Sequence, residues 1–132
     1  MSQAILHTDG GARGNPGPAG IGVVLEMGGE KKTFKKYIGE ATNNQAEYQA
    51  LLLGLEEAQK AGADEVSCLL DSELVVKQLN REYKVKNQEL APLFVKIYNL
   101  SQQFKKVTFA HVYREENKEA DKLVNEAIDE KS

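Results

Sequence analysis

The 132-residue sequence predicts an α/β fold, namely a mixed five-stranded sheet with helices on both faces. Five short segments carry apolar residues that alternate or run together, as strands do. Four other segments repeat apolar residues every three or four positions, as helices do. The predicted order is βββ-α-β-α-α-β-α. Because a helix separates strand four from the first three strands, strands one and four can pair in parallel at the centre of the sheet.

The first three predicted strands, 3–9, 21–27 and 32–38, form an antiparallel meander. Gly28-Gly29 supplies the second hairpin. The first hairpin lies in the stretch TDGGARGNPGPAG from Thr8 to Gly20, where glycines and prolines favour a turn. Asp9 is therefore expected at the end of a strand, beside a loop with bare N–H groups. A plain hairpin turn with a surface aspartate explains the same residues.

The remaining elements follow from periodicity and capping residues. A long helix is predicted over 42–61, where Gly62 ends it, and a strand over 63–70. Ser72 caps a short helix that ends at Leu79. Apolar residues at helical spacing over 90–104 predict a third helix, alternation over 107–113 predicts the fifth strand, and a last helix covers 117–128.

Composition limits the class of protein. A chain with 41% hydrophobic and 28% charged residues is typical of a globular protein, and we expect one domain over residues 1–132. The net charge of −3 means that local clusters or bound cations must supply any attraction for nucleic acid. A single cysteine excludes an intrachain disulfide. The absence of a long apolar run and of a basic-then-apolar N-terminus predicts a cytoplasmic protein without a membrane segment.

Two aspartates end predicted strands. Asp9 follows the first strand and Asp71 the fourth, so both carboxylates should emerge at one edge of the sheet if those strands are parallel neighbours. Open sheets of this kind place ligands beyond the carboxyl ends of their strands. The alternative for Asp71 is a helix N-cap.

Two further acids lie on the inward faces of helices. Glu47 begins a stripe that Leu51 and Leu55 continue, and Asp121 shares a face with Val124. A capping box with Asn44 is the alternative for Glu47. Four inward carboxylates without matching lysines or arginines require a counter-charge, and oxygen ligands select Mg²⁺ or Mn²⁺. Two such ions could activate a water and stabilise a leaving oxygen of a phosphodiester.

Taken together, these motifs resemble type 1 ribonucleases H over nearly the whole chain. The matching segments are TDGGARGNPGPAG, TNNQAEYQALLLGL, LLDSELVV, VKN at Val85 to Asn87, and ENKEADKLVNEA. The resemblance implies a ribonuclease H-like fold and an endonuclease that hydrolyses the RNA strand of an RNA–DNA hybrid. It implies two Mg²⁺ ions, with Mn²⁺ as a substitute, and 5′-phosphate and 3′-hydroxyl products. The catalytic and metal-binding residues would be Asp9, Glu47, Asp71 and Asp121.

The same resemblance implies substrate contacts. Backbone groups near Gly10 and Gly11 would lie beside RNA 2′-hydroxyls. Asn15, Asn43 and Asn44 match minor-groove contacts, with Gln45 a weaker candidate. Thr42 and Asn87 match a pocket for a DNA-strand phosphate, and each has a helix cap as its alternative.

The chain departs from the family pattern in two places. The loop before the last helix lacks the histidine that many members carry, and Arg114 is the candidate to stand in for it. The short connection 80–86 leaves no room for the basic helix and loop that many bacterial members insert. A modest cluster, Lys77, Arg81, Lys84 and Lys86, predicts weak hybrid binding that depends strongly on salt.

Three functions remain open at this stage. The first is a hybrid-cleaving monomeric enzyme that also admits double-stranded RNA. The second is a hybrid-binding module without catalysis, and the third is a related nuclease with broader duplex specificity.

Overall fold

The computed structural model of the chain describes residues 2–131. It contains five strands, four α-helices and a short 3₁₀ turn in the expected order. Their bounds are β1 Gln3–Ala12, β2 Gly17–Met27, β3 Glu30–Ala41, α1 Asn43–Lys60, β4 Glu65–Leu70, α2 Glu73–Leu79, α3 Ala91–Ser101, β5 Lys106–His111, the 3₁₀ turn Arg114–Glu116, and α4 Lys118–Lys131.

The sheet has the order β3-β2-β1-β4-β5, which confirms the predicted mixed five-stranded architecture. β1 to β3 form an antiparallel meander, and β4 pairs with β1 and β5 in parallel. The parallel β1–β4 ladder ends at Thr8 and Leu70. The next residue of each strand, Asp9 and Asp71, therefore lies at the same end of the sheet.

Two glycines set the distance between the sheet and its covering helices. A Cβ on Gly10 would overlap the backbone of Ala46 in α1, and one on Gly22 would overlap the backbone of Ala120 in α4. Because Gly22 pairs with Asp9, the neighbour of Gly10, these two glycines face opposite sides of the sheet. α1 and α4 therefore cover opposite faces at van der Waals contact with the backbone.

The main core lies between the sheet and α1. Leu6, Leu51, Leu55 and Leu70 are fully buried there, and Ile97 of α3 packs against the same cluster. Cys68 is buried in this core, and burial raises the pKa of its thiol. The thiol is therefore an inert core group, as its apolar surroundings in the sequence indicate.

Several element bounds differ from the prediction. β1 continues past Asp9 to Ala12, and β2 begins at Gly17, four residues earlier than expected. The reason is that β1 and β2 keep pairing through the glycine-rich stretch after β4 has ended. Asp9 is thus inside a strand but at the end of a ladder. β5 ends at His111 rather than at 113. Within the described residues, no helix is long and apolar enough to cross a membrane.

Candidate metal and nucleic-acid site

An open cleft lies where the parallel ladder ends. All four acids singled out in the sequence line it, and each comes from a different element. Asp9 belongs to β1, Glu47 to α1 and Asp121 to α4, while Asp71 follows β4. The other polar and charged lining residues are Arg13, Asn43, Asn44, Ser72, Arg114 and Asn125.

Three of these acids form a tight cluster. One carboxylate oxygen from each of Asp9, Glu47 and Asp71 lies within 4.8 Å of the others. Asp121 is outside this closest group, but it interacts electrostatically with Asp9 across the same cleft. Asp9 and Glu47 are 7% and 6% exposed, so water screens their charges only weakly.

Burial and mutual repulsion hold protons on two of the acids. Burial, followed by the charge of Asp71, raises the pKa of Asp9 to about 7. Burial, followed by the charge of Asp9, raises the pKa of Glu47 well above its ordinary value. The two side chains also share a hydrogen bond, which raises the pKa of Glu47 and lowers that of Asp9. The cluster is therefore short of positive charge at neutral pH.

Glu47 is held by the backbone of β1. The N–H of Gly10 donates to its Oε1 at 2.7 Å. This contact is possible because Gly10 lets α1 approach so closely. The capping box at the start of α1 is made by Thr42 and Gln45, which contradicts the alternative assignment to Asn44 and Glu47. The Glu47 carboxylate is thus not used as a cap and points into the cleft.

Asp71 is likewise not a helix cap. The side chain that caps α2 is that of Ser72, whose hydroxyl accepts from the N–H of Val75 at 3.3 Å. The helix-cap alternative for Asp71 is therefore wrong, and its carboxylate takes part in the acidic cluster instead.

Asn117 fixes the start of α4 and was missed by sequence reasoning. It is 1% exposed, and its Nδ2 donates to the carbonyl of Thr8 at 2.9 Å. Its own carbonyl accepts from the N–H of Asp121 at 3.1 Å. One asparagine thus joins the residue before Asp9 to the backbone of Asp121. The signal in the sequence was an asparagine at the beginning of a helix, which is commonly a cap.

Asn15 and Asn43 tie the β1–β2 turn to α1. Asn15 Oδ1 accepts from the N–H of Asn43 at 3.0 Å, and Asn43 Oδ1 accepts from the N–H of Ala12 at 2.9 Å. The N–H of Gly10 donates to Glu47. The N–H groups of Gly10 and Ala12, which were expected to be bare, are therefore both occupied. Asn44 lies in the cleft lining, as do Gly10 and Gly11.

The predicted phosphate-pocket residues lie outside the acidic cleft. Thr42 Oγ1 accepts from the N–H of Gln45 at 3.1 Å, so Thr42 serves as a helix cap. Asn87 Oδ1 accepts from the N–H of Glu89 at 2.7 Å, in a turn before α3. Gln45 Nε2 donates to Glu89 Oε2 at 2.9 Å, which brings the Asn87 loop beside the start of α1. Arg114 is exposed and lines the cleft from the 3₁₀ turn.

The donor set suits a hard divalent cation. The cluster offers carboxylate oxygens, and neither histidine lines the cleft. A cation there would relieve the repulsion that raises the pKa of Asp9 and of Glu47, and its binding would release a proton.

Comparisons with known proteins agree with this fold. A family model described as reverse transcriptase-like matches residues 7–127. A bifunctional protein of Mycobacterium tuberculosis is 43% identical over 130 residues, which are 96% of this chain and 36% of that protein. The chain thus spans about a third of the length of this relative.

Two other proteins match over nearly their full lengths. A ribonuclease H of Hydrogenovibrio crunogenus is 35% identical over 144 residues, covering 98% of either chain. A solved structure of a ribonuclease H1 from a compost metagenome, in complex with an RNA/DNA hybrid, is 48% identical with a TM-score of 0.90. It covers 96% of this chain and 97% of that one.

Proposed function

The chain belongs to the ribonuclease H family, and from that membership we propose that it is an endonuclease that hydrolyses the RNA strand of RNA–DNA hybrids. The products would carry 5′-phosphate and 3′-hydroxyl ends. One observation carries the proposal: carboxylates from three separate elements converge within 4.8 Å, with a fourth acid in the same cleft. Burying such a cluster is unfavourable unless a ligand uses it.

Asp9, Glu47, Asp71 and Asp121 would hold two divalent cations, with Mg²⁺ preferred and Mn²⁺ as a substitute. When bound, such a pair supplies an activated water and stabilises the charge on the leaving oxygen of a phosphodiester. The chain's own contribution is to fix the carboxylates. Gly10 orients Glu47 through its N–H, and Asn117 couples the strand of Asp9 to the helix of Asp121.

We propose that RNA is recognised by carbonyl groups rather than N–H groups of β1. The N–H groups of Gly10 and Ala12 are already bound to α1 side chains. In a strand, the N–H and C=O of one residue point to the same side, so the carbonyls of these residues face the cleft edge. A 2′-hydroxyl can donate to such a carbonyl, and DNA has no equivalent group.

The asparagines would read the minor groove as donors. The Oδ1 atoms of Asn15 and Asn43 are used by backbone N–H groups, which orients the amides. An asparagine amide has two N–H donors, and minor-groove base edges present acceptors. Asn44 is proposed for the same role from its place in the cleft lining. Thr42 and Asn87 would contact a phosphate of the DNA strand, and Gln45 is a weaker candidate for a minor-groove contact.

Arg114 is proposed as the group that stands in for the loop histidine and assists turnover. Replacing Arg114 with Ala should lower kcat; unchanged turnover would remove it from the mechanism.

We also propose a monomeric, cytoplasmic enzyme whose short 80–86 connection lets it accept double-stranded RNA as a minor substrate.

Cleavage of end-labelled duplexes tests the proposed function. Hybrid, double-stranded RNA, double-stranded DNA and single-stranded RNA would each be incubated with Mg²⁺, Mn²⁺ or EDTA. We expect metal-dependent internal cuts in the RNA strand of the hybrid, lost in Asp9→Asn and retained in Asp64→Asn. Asp64 is a matched control because it lies at the other end of β4. Intact hybrid with every metal would leave only a binding module, and faster cleavage of double-stranded DNA would indicate a different nuclease.

A further inference from the structure

Arg13 is a cationic side chain in the cleft that the proposed catalytic set does not use. Among the described residues that line the cleft, Arg13 and Arg114 are the cations, against four carboxylates. Arg13 follows the last residue of β1, and its N–H donates to the carbonyl of Pro18 at 2.8 Å, so it continues the hairpin. Strand alternation puts it on the same face as Asp9 and Gly11.

The guanidinium of Arg13 is held in place by α4. Its Nη1 lies 2.6 Å from Asp129 Oδ1, and its Nη2 donates to Asn125 Oδ1 at 3.4 Å. Asn125 in turn donates from Nδ2 to the carbonyl of Asp121 at 3.1 Å. The same helix that carries one catalytic candidate therefore positions this cation beside the cleft.

The contacts leave Arg13 able to bind another anion. They account for two of the five N–H donors of the guanidinium. The side chain of Arg13 is 46% exposed and that of Asp129 is 64% exposed, so the ion pair is weak and open to exchange. A planar guanidinium binds phosphate oxygens in a bidentate manner, which suits the backbone of a nucleic acid.

Position along the chain decides which phosphate is reached. Arg13 lies four positions after Asp9, and at about 3.3 Å per residue their backbones lie about 13 Å apart. A strand of a duplex advances about 3.4 Å per phosphate along the axis. A phosphate beside Arg13 is therefore a different one from the phosphate beside Asp9, which makes it non-scissile.

We propose that Arg13 binds a non-scissile backbone phosphate of the nucleic-acid substrate, exchanging its exposed ion pair with Asp129 for the phosphate. The inference rests on the proposed function for the identity of the substrate. Arg13 would then be a substrate-binding residue of the cleft that contacts α4. It also supplies local attraction in a chain whose net charge is −3.

The salt dependence of kcat/KM for hybrid cleavage tests the proposal. Each phosphate contact contributes about 0.9 to the slope of log affinity against log salt. Arg13→Ala should therefore make the plot of log(kcat/KM) against log[KCl] shallower by about 0.9, with kcat unchanged. At 0.1 M salt this slope corresponds to a loss of about eightfold, and the wild-type and variant lines should converge near 1 M. Arg13→Lys should recover most of the slope.

Two further variants separate phosphate binding from a structural role. Lys31→Ala is the matched control, because Lys31 also forms one exposed ion pair with α4, at 3.0 Å to Glu119, but lies outside the cleft. Its slope should equal that of the wild type. Asp129→Asn breaks the Arg13 ion pair while keeping the cation, and it should retain the slope and bind no more weakly. Equal losses of hybrid affinity in Asp129→Asn and Arg13→Ala would show that Arg13 acts only through its ion pair with Asp129. That result would overturn phosphate binding by Arg13.

The outcomes distinguish this inference from the proposed function. Hybrid binding measured by fluorescence anisotropy over the same salt series accompanies the kinetics. A wild-type protein that cleaves hybrid, together with an unchanged slope in Arg13→Ala, overturns the role of Arg13 alone. If the wild-type protein binds hybrid without cleaving it, the proposed activity is wrong. The salt dependence of hybrid binding then still shows whether Arg13 binds a phosphate. A protein that neither binds nor cleaves hybrid rejects both.

Discussion

Replacing Asp9 with Asn should stabilise the metal-free protein at neutral and alkaline pH. The Asp9 carboxyl has its pKa raised from 3.8 to about 7, chiefly by burial and by the charge of Asp71. A raised pKa means that the folded state binds this proton more tightly than the unfolded state does. The free energy of unfolding therefore falls as pH rises from about 4 to about 7, and it stays lowered above that.

The pKa difference sets the magnitude. A shift of about three units at about 1.4 kcal/mol per unit corresponds to about 4 kcal/mol at pH 8. This is an upper value for Asp9 alone, because Glu47 shares the same repulsion. Asn has nearly the same shape without the charge, so the variant should gain 2–4 kcal/mol, on the order of 10 °C in Tm. At pH 4 the gain should vanish, because Asp9 is then protonated in the folded state.

Urea unfolding in EDTA at pH 4, 6 and 8 measures this effect, with Asp64→Asn as the control for a carboxylate outside the cleft. Adding Mg²⁺ at pH 8 should stabilise the wild type and have little effect on Asp9→Asn, because the cation replaces the missing counter-charge. A variant that is no more stable than wild type at pH 8, or equally more stable at pH 4 and pH 8, would refute the reasoning.

Three other perturbations test the positions of the acids. Lowering the pH below about 7 should weaken Mg²⁺ binding about tenfold per pH unit, because a proton must leave the acidic cluster before the cation binds. Calorimetry in buffers of different ionisation enthalpy should detect the release of this proton. Mg²⁺ binding that does not depend on pH would contradict the prediction. Gly10→Ala should cost about 3 kcal/mol or more in urea unfolding and lower activity, because the new Cβ overlaps the backbone of α1. Gly11→Ala is the control for stability, because a Cβ there meets only an ordinary contact at 3.7 Å. A well-folded, fully active Gly10→Ala variant would refute the close approach. Asn117→Ala should cost about 1–3 kcal/mol because the carbonyl of Thr8 loses its buried donor, and it should lower kcat more than it raises KM; unchanged kcat would leave Asn117 with a structural role alone.

Element types and their order could be predicted from the sequence, because the periods of strands and helices are local signals. The inward direction of Glu47 was also visible, since a carboxylate on the apolar stripe that includes Leu51 and Leu55 has no solvent-facing alternative. The proximity of Asp9 and Asp71 could be predicted only with one further inference. It is that β4, which follows a helix, pairs in parallel with β1.

Other parts of the site depend on contacts between distant segments. The extension of β1 to Ala12 was missed because glycines weaken the strand signal, while pairing with β2 supplies the missing preference. The use of the Gly10 N–H by Glu47 joins residues 37 positions apart, and Asn117 reaches Thr8 across 109 positions. No local pattern encodes such pairs, so Asn117 was overlooked and the β1 N–H groups were wrongly taken as bare.

The proposed function depends on divalent cations held jointly by side chains from β1, α1, the end of β4 and α4. Anomalous diffraction from crystals of the wild-type protein soaked in Mn²⁺ measures this directly. We expect at least one strong peak at bonding distance from oxygens of Asp9, Glu47 and Asp71, and its loss in Asp9→Asn crystals. Peaks only at other surface carboxylates, or none in the cleft at saturating Mn²⁺, would contradict it.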